Sequence, residues 1–290
     1  MSDLLFAPLG YAFVVRALLA VTMVAAVCSL VGTFAVLRGM SYIGAALAHS
    51  LVPGVAVGYL VSGLSRDRLF WWATGTAIVT ALGMSALVRR FRIGEDAAVG
   101  VVYSGMFALG IAIISTVRSF AVDLVHFLFG NVLSVSGTDL LRIGAVAAII
   151  VIVVALFYKE MVLVTFDRVF AASLRLNSGC LTALQYVLMG LAIAVALQTI
   201  GIALVVTLMV APAAAALQVV RRFHHAVLVA AAIGVGSGVV GLYLSCHLSV
   251  ASGAAIAVVC VVVFLIISAL ARVMRAAPAE EAHGTADPTA

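Results

Sequence analysis

Charged residues are scarce in this chain of 290 residues, and that scarcity decides its class. Only 9% of the residues are charged, whereas 66% are hydrophobic and the mean hydropathy is +1.30. A soluble domain is typically about 45–50% apolar and about 25% charged. A water-soluble fold of this size could not bury so much apolar surface, so the sequence predicts a polytopic membrane protein.

The sequence also lacks the motifs of several other classes of protein. It has no GxxxxGK[ST] phosphate loop, so it does not bind ATP by that route. It has no HExxH, which excludes a zincin-type protease. Its four cysteines show no CxxC spacing, which argues against a disulfide framework or a zinc knuckle. Its basic residues form no single patch, so no nucleic-acid partner is expected.

Long apolar segments fill most of the chain, and a helix that crosses a bilayer needs about 20 such residues. The segments without Lys, Arg, Asp or Glu are 17–37, 41–63, 69–88, 97–117, 143–158, 181–197, 201–220, 226–245 and 251–271. We predict an all-α fold, a polytopic transmembrane helix bundle of about eight or nine spans in a lipid bilayer, some of them broken or re-entrant. A transmembrane domain would cover 1–275, and 276–290 would form a disordered cytoplasmic tail.

The arginines at the ends of these segments predict the orientation. Eleven cationic residues fall on one side and five on the other, which favours an outer N-terminus and an inner C-terminus. The inner set is Arg38, Arg89, Arg90, Arg92, Lys159, Arg168, Arg175, Arg221, Arg222, Arg272 and Arg275. This orientation requires 181–220 to cross twice, with a turn near 198–201, unless that segment is broken or re-entrant.

Glycine pairs at four-residue spacing predict close helix packing, because small residues let two helix backbones approach each other. Gly54 and Gly58 form one such pair, and Gly234 and Gly238 form another.

His49 lies well inside a predicted span. A neutral imidazole binds Zn, Mn and Fe, so His49 is a candidate metal ligand. The alternative is a histidine that is hydrogen-bonded to a neighbouring helix. Pro53 removes a backbone hydrogen bond four residues on and can free a carbonyl towards a pore. His126, His247 and Asp123 are candidate ligands at the outer face, where the alternative is ordinary surface residues.

The predicted spans contain no acidic residue, which argues against an ion-coupled secondary carrier, since such carriers bury Asp or Glu. A lone histidine without a paired acid or nucleophile also argues against an intramembrane enzyme.

Six sequence stretches in a fixed order carry a resemblance to a known family. They are 36–44 with 47–49 and 53–54, then 92–100, 127–133, 166–167 with 171–172, 198–204 with 210–216, and 252–255. Across about 12–272, the chain resembles the membrane permease subunit of bacterial ATP-binding-cassette importers for manganese, zinc or iron.

The resemblance implies a function and a set of partners. The chain would be a multi-pass permease of the bacterial inner membrane, not an enzyme, and would pair as a homodimer. A separate cytoplasmic ATP-binding subunit would power it, and an extracytoplasmic metal-binding protein would deliver Mn, Zn or Fe as cargo, with no permanently bound cofactor.

The same resemblance implies two contacts with the ATPase. The first is a coupling helix from Pro212 to about His225, with Ala215, Arg221 and Arg222. The second is the loop that holds Asp167 and Arg168.

At one position the chain departs from the family pattern, which has an acidic residue four positions before the histidine. Ala45 stands there, so a hard cation such as Mn²⁺ would lose an oxygen ligand. The pathway could use His49 from both protomers, Ser50, backbone carbonyls or water. The alternatives for function are a permease for a metal chelate, such as a siderophore or haem, and an ion-coupled secondary transporter.

Overall fold

The computed structural model describes residues 11–63, 66–91, 93–116, 132–248 and 250–283, without the side chains at 66, 198–199, 202–203 and 275–283. Every regular element in these ranges is helical, which confirms the all-α prediction. In chain order, the α-helices are α1 Ala12–Leu37, α2 Ile43–Ser50, α3 Val52–Ser62, α4 Arg66–Phe91, α5 Glu95–Ser115, α6 Gly137–Leu156, α7 Tyr158–Phe166, α8 Arg168–Ser173, α9 Ser178–Ile200, α10 Ile202–Val219, α11 Phe223–Leu248 and α12 Ser252–His283.

Eight helical stretches of the described residues are long and apolar enough to cross a membrane. One of them joins α2 and α3, and a shorter apolar stretch, Leu204–Val219, lies in α10. The prediction of eight or nine spans is therefore confirmed. The backbone of α12 stays helical to His283, and the division of the chain at 275 stays a prediction.

α1 lies at the centre of the bundle and packs against α6, α9, α10 and α11. A helix that is apolar on all sides is typically buried, and α1 follows this rule. Both glycine pairs lie at close helix contacts, as their spacing predicts. A Cβ at Gly54 or Gly58 would overlap Thr76 or Trp72 of α4, and one at Gly234 or Gly238 would overlap Ser29 or Val21 of α1.

The turn between α9 and α10 lies inside the bundle. Gly201 is buried and has a φ of 84°, which suits glycine. Val195 of α9 lines a small cavity with Met23 and Val27 of α1. Gly201 is six residues beyond Val195, a rise of about 9 Å along α9. The turn therefore lies level with the outer half of α1 and not beyond the end of α1. A turn buried in protein is acceptable at membrane depth, and it returns the chain to the side from which α9 started.

Charged side chains gather at two separate places that agree with the predicted orientation. Arg38 and Arg168, both assigned to the inner side, contact the same carboxylate, that of Glu95. Arg142, assigned to the outer side, lies 2.7 Å from Asp67 at the start of α4.

Candidate functional site

A break in a membrane-spanning segment defines the candidate site. Leu51 separates α2 from α3, and Pro53 stands in the first turn of α3. Proline has no backbone N–H, so it cannot pair with the carbonyl of His49 four residues earlier. The break falls at Leu51, two residues after His49, and Pro53 leaves the carbonyl of His49 without its usual helical partner.

The His49 side chain has a defined tautomer. Its Nδ1 lies 2.8 Å from the carbonyl oxygen of Ala45. A carbonyl oxygen only accepts hydrogen bonds, so Nδ1 is the donor, and in the neutral ring the lone pair is then on Nε2. Histidines that bind metals typically donate their other ring N–H to a carbonyl or a carboxylate in this way. The ring is therefore prepared to bind a metal through Nε2.

Two aromatic side chains of α5 flank the His49 ring. The centroids of Tyr103 and Phe107 lie 5.3 Å and 5.5 Å from the imidazole, both in edge-to-face geometry. The two rings are nearly parallel, with an interplanar angle of 5°. His49 and Ala45 are both partly exposed, so this side of α2 is accessible.

Ser50, the other residue predicted for the pathway, is placed differently. It is fully buried, and its hydroxyl donates a 2.6 Å hydrogen bond to the carbonyl of Ala46. Successive residues point about 100° apart around a helix, so Ser50 does not share the accessible side of His49. His49 is therefore the better candidate of the two.

The described side chains do not by themselves complete a metal site at His49. Within the described ranges, no three residues among His, Cys, Asp and Glu come together as a metal site. Backbone carbonyls, water and a second protomer are the further ligand sources left open by the loss of a carboxylate at Ala45.

The outer candidate ligands are only partly described. His247 is exposed near the end of α11, and its Nδ1 lies 2.8 Å from the carbonyl of Tyr243. His126 and Asp123 lie outside the described residues, so their role stays a prediction.

The first expected ATPase contact is not a single helix. Pro212 and Ala215 are buried within α10, and the exposed side-chain fraction of Ala215 is zero. α10 ends at Val219 and α11 begins at Phe223, which leaves Arg221 and Arg222 exposed between them. The segment from Pro212 to His225 therefore consists of the end of α10, a short connection and the start of α11, and α10 packs against α1, α11 and α12. Its contact with the ATPase stays a prediction.

The second expected contact is an exposed short helix. The Asp167 carboxylate accepts hydrogen bonds from the backbone N–H groups of Val169 and Phe170, both 2.9 Å, and so caps α8. Val169 is 83% exposed and Phe170 is 52% exposed. Apolar side chains exposed at the end of a bundle indicate a surface that another protein covers.

A buried ionic cluster at the same end is a feature that the sequence did not reveal. Glu95 Oε1 accepts hydrogen bonds from the guanidinium groups of Arg38, at 2.6 Å, and Arg168. Arg38 also donates to Gln185 Oε1, and the Gln185 amide donates to the Met161 carbonyl at 3.2 Å. Arg38 directly follows α1, and the other residues lie in α5, α7, α8 and α9; we call these residues the Glu95 cluster.

The bundle of long apolar helices, with its broken span and its polar ends, is the architecture of a polytopic membrane protein. The sequence profile of the ABC 3 transport family matches residues 10–271. The chain belongs to the ABC 3 transport family, and it is a multi-pass permease subunit of the bacterial inner membrane rather than an enzyme.

Named relatives and a solved structure extend this assignment. The chain is 39% identical over 256 residues to the manganese transport system membrane protein MntC of Listeria monocytogenes, covering 88% of this chain and 90% of MntC. It is 33% identical over 268 residues to the chelated iron transport system membrane protein YfeC of Yersinia pestis, covering 91% and 88% of the two chains. A chain of PsaBC from Streptococcus pneumoniae matches with a TM-score of 0.79 and 30% identity, covering 92% of this chain and 94% of that one.

Proposed function

We propose that this permease moves a divalent transition metal, Mn²⁺ or Fe²⁺, into the cytoplasm, that a separate ATPase subunit powers the movement, and that an extracytoplasmic binding protein supplies the metal. The observation that carries the proposal is the partly exposed His49 ring in a broken span, whose Nδ1 is hydrogen-bonded to the carbonyl of Ala45. Bare divalent ions cannot enter hydrocarbon, so such ligands are needed along a shielded path. The names of the manganese and iron relatives support the choice of metal.

We propose that two copies of the chain form the path between them. An apolar groove of about 640 Å³ lies between α3, α4 and α5 and includes Pro53, one helical turn from His49. The exposed side of α5 carries small residues, Ser104, Gly105 and Ala108, which suit close helix packing. A two-fold axis beside His49 would bring both imidazoles together and supply a second nitrogen ligand.

The ATPase would bind the cytoplasmic surface formed by Phe166, Val169, Phe170, Arg221 and Arg222. The three apolar residues of this set are 52–83% exposed at a bundle end that faces water, and the two arginines add a positive rim. The buried Ala215 would act on this surface only through α10.

The proposal is tested with the whole complex of permease, ATPase and binding protein in proteoliposomes. We expect ATP-dependent uptake of radioactive Mn²⁺ that excess Fe²⁺ inhibits, with Zn²⁺ as the third competitor. The purified permease alone should hydrolyse no ATP. ATP hydrolysis by this chain alone would contradict the proposal. A complex that takes up none of Mn²⁺, Fe²⁺ and Zn²⁺ would contradict it as well.

The second candidate function is transport of a metal chelate. Ala45 supplies no carboxylate, and a chelated metal brings its own ligands, so it would need fewer from the protein. A siderophore-bound iron that is taken up intact, while free Mn²⁺ neither enters nor competes, would favour this function.

A further inference from the structure

Cytoplasmic ATPase contacts and the His49 site lie on different helices, so a physical connection between them is needed. α8, at the cytoplasmic surface, has no direct contact with His49 among the described interactions. Coupling between distant sites is carried by packed side chains and hydrogen-bonded networks that link rigid helices. The Glu95 cluster lies between these two regions.

Towards the proposed ATPase surface, the Glu95 cluster is hydrogen-bonded to both short helices, α7 and α8. Arg168, the first residue of α8, contacts Glu95 directly. The Gln185 amide donates hydrogen bonds to the Met161 carbonyl and, at 2.9 Å, to the Thr165 hydroxyl of α7. A displacement of α8 would therefore act on Glu95, and a displacement of α7 would act on Gln185.

Towards His49, the Glu95 cluster is connected to α2 and α5, the two helices that form the His49 site. Arg38 begins the five-residue linker into α2, and Met40 in that linker is buried with its sulfur 3.6 Å from the Tyr186 hydroxyl. Glu95 is the first residue of α5, the helix that presents Tyr103 and Phe107 to His49.

The charges of the Glu95 cluster favour a fixed arrangement of Arg38, Glu95 and Arg168. The side chain of Arg38 is only 3% exposed and that of Glu95 is 16% exposed. A buried arginine needs a charged or hydrogen-bonding partner, and Glu95 supplies it. The carboxylate is shared with Arg168, which is 46% exposed and lies towards the ATPase surface. One carboxylate thus joins a buried and an exposed guanidinium.

We propose that Glu95 is a positioning residue for transport: by binding Arg38 and Arg168 together, it transmits the movement of α8 to α2 and α5 and so to His49. This inference rests on the proposed function for the identity of the cargo. It assigns to Glu95 a role beyond that of a favourable acidic residue in the first turn of a helix.

The test compares Glu95→Gln with wild type in the whole complex. Glutamine keeps the shape and removes the charge that holds both arginines. We expect assembly and ATP hydrolysis to persist, while Mn²⁺ uptake per ATP hydrolysed falls about five-fold or more. Asp96→Asn is the matched control, because Asp96 is exposed in the same first turn and removing its charge has the same effect on the helix dipole. It should keep the wild-type ratio.

A second readout does not depend on the cargo. In the wild-type complex, a non-hydrolysable ATP analogue should change amide hydrogen exchange in both 158–173 and 39–51. In Glu95→Gln, the change should remain in 158–173 and be lost from 39–51. Should Glu95→Gln not assemble, both measurements are made on Glu95→Asp, whose shorter side chain keeps the charge and should give intermediate values.

Absence of wild-type Mn²⁺ uptake would count against the proposed cargo, while the exchange readout would still decide the role of Glu95. Uptake per ATP within two-fold of wild type, or an unchanged response of 39–51, would overturn the inference. A variant that only loses stability, with normal coupling per assembled complex, would overturn it as well.

Discussion

The two ends of the bundle use the same kinds of charged residue in different ways. At the cytoplasmic end, Arg38 is 3% exposed and shares Glu95 with Arg168. At the outer end, Arg142 pairs with Asp67, whose side chain is 69% exposed. An exposed ion pair contributes about 0–1 kcal/mol, whereas removing one partner of a buried pair costs about 3–5 kcal/mol. Burial, rather than residue type, makes the cytoplasmic cluster able to connect helices.

The largest loss of stability is expected for Ala215→Glu, because the new carboxylate would be buried with no arginine beside it, whereas Glu95 has two. Ala215→Glu places an unpaired charge at a fully buried position of α10, so we expect little folded permease. Val219→Glu is the matched control, because Val219 is 57% exposed at the end of the same helix. Size-exclusion chromatography of the detergent-solubilised protein measures both. A well-folded Ala215→Glu variant that merely loses coupling would show that α10 contacts the ATPase directly.

A smaller but still large effect is expected for Arg38→Met. The variant leaves Glu95 and Gln185 without their buried partner, so the folded state should lose about 3–5 kcal/mol. Thermal unfolding of the purified permease measures the loss. An unfolding midpoint close to wild type would mean that water or Arg168 replaces Arg38 and that the cluster is not tightly held.

The smallest effect is expected for Arg142→Met at the outer end. Asp67 is largely exposed and can be hydrated when the guanidinium is removed, and Asp139, 3.7 Å from Arg142, keeps its hydrogen bonds to Ser136, so the loss should be much smaller than that of Arg38→Met. Methionine also keeps an apolar side chain near the Phe70 ring, which Arg142 covers at 6.0 Å. The same unfolding assay applies, and a loss equal to that of Arg38→Met would remove the difference between the two ends.

Much of this architecture follows from the sequence. Composition fixes the membrane class, and apolar segments between arginines give the spans, while the orientation of the bundle stays a prediction. Pro53 indicates a missing backbone hydrogen bond close to His49, and His49 itself stands out because an imidazole within an apolar segment needs a partner. Each of these conclusions depends on residues that are close together in the chain.

The features that sequence alone does not reveal are tertiary. Glu95 meets Arg38 across 57 positions and Arg168 across 73, and each reads alone as an orientation signal or a helix-start charge. Ser50 is next to His49 in sequence but on the buried side of the helix. The helix around Ala215 is alanine on all sides, so its sequence has no polar face. Without a polar face, the sequence does not show whether this helix is buried in the bundle or contacts the ATPase.

The most direct test of the metal pathway is uptake by His49→Ala, measured per assembled complex and compared with Ser50→Ala. Losing even an indirect partner of a metal typically costs 10–100-fold, so we expect Mn²⁺ uptake to fall by at least about tenfold in His49→Ala. Ser50→Ala removes only a hydrogen bond within α2 and should stay close to wild type. Normal uptake per complex in His49→Ala would show that the histidine is only packed against Tyr103 and Phe107 and that the metal takes another path.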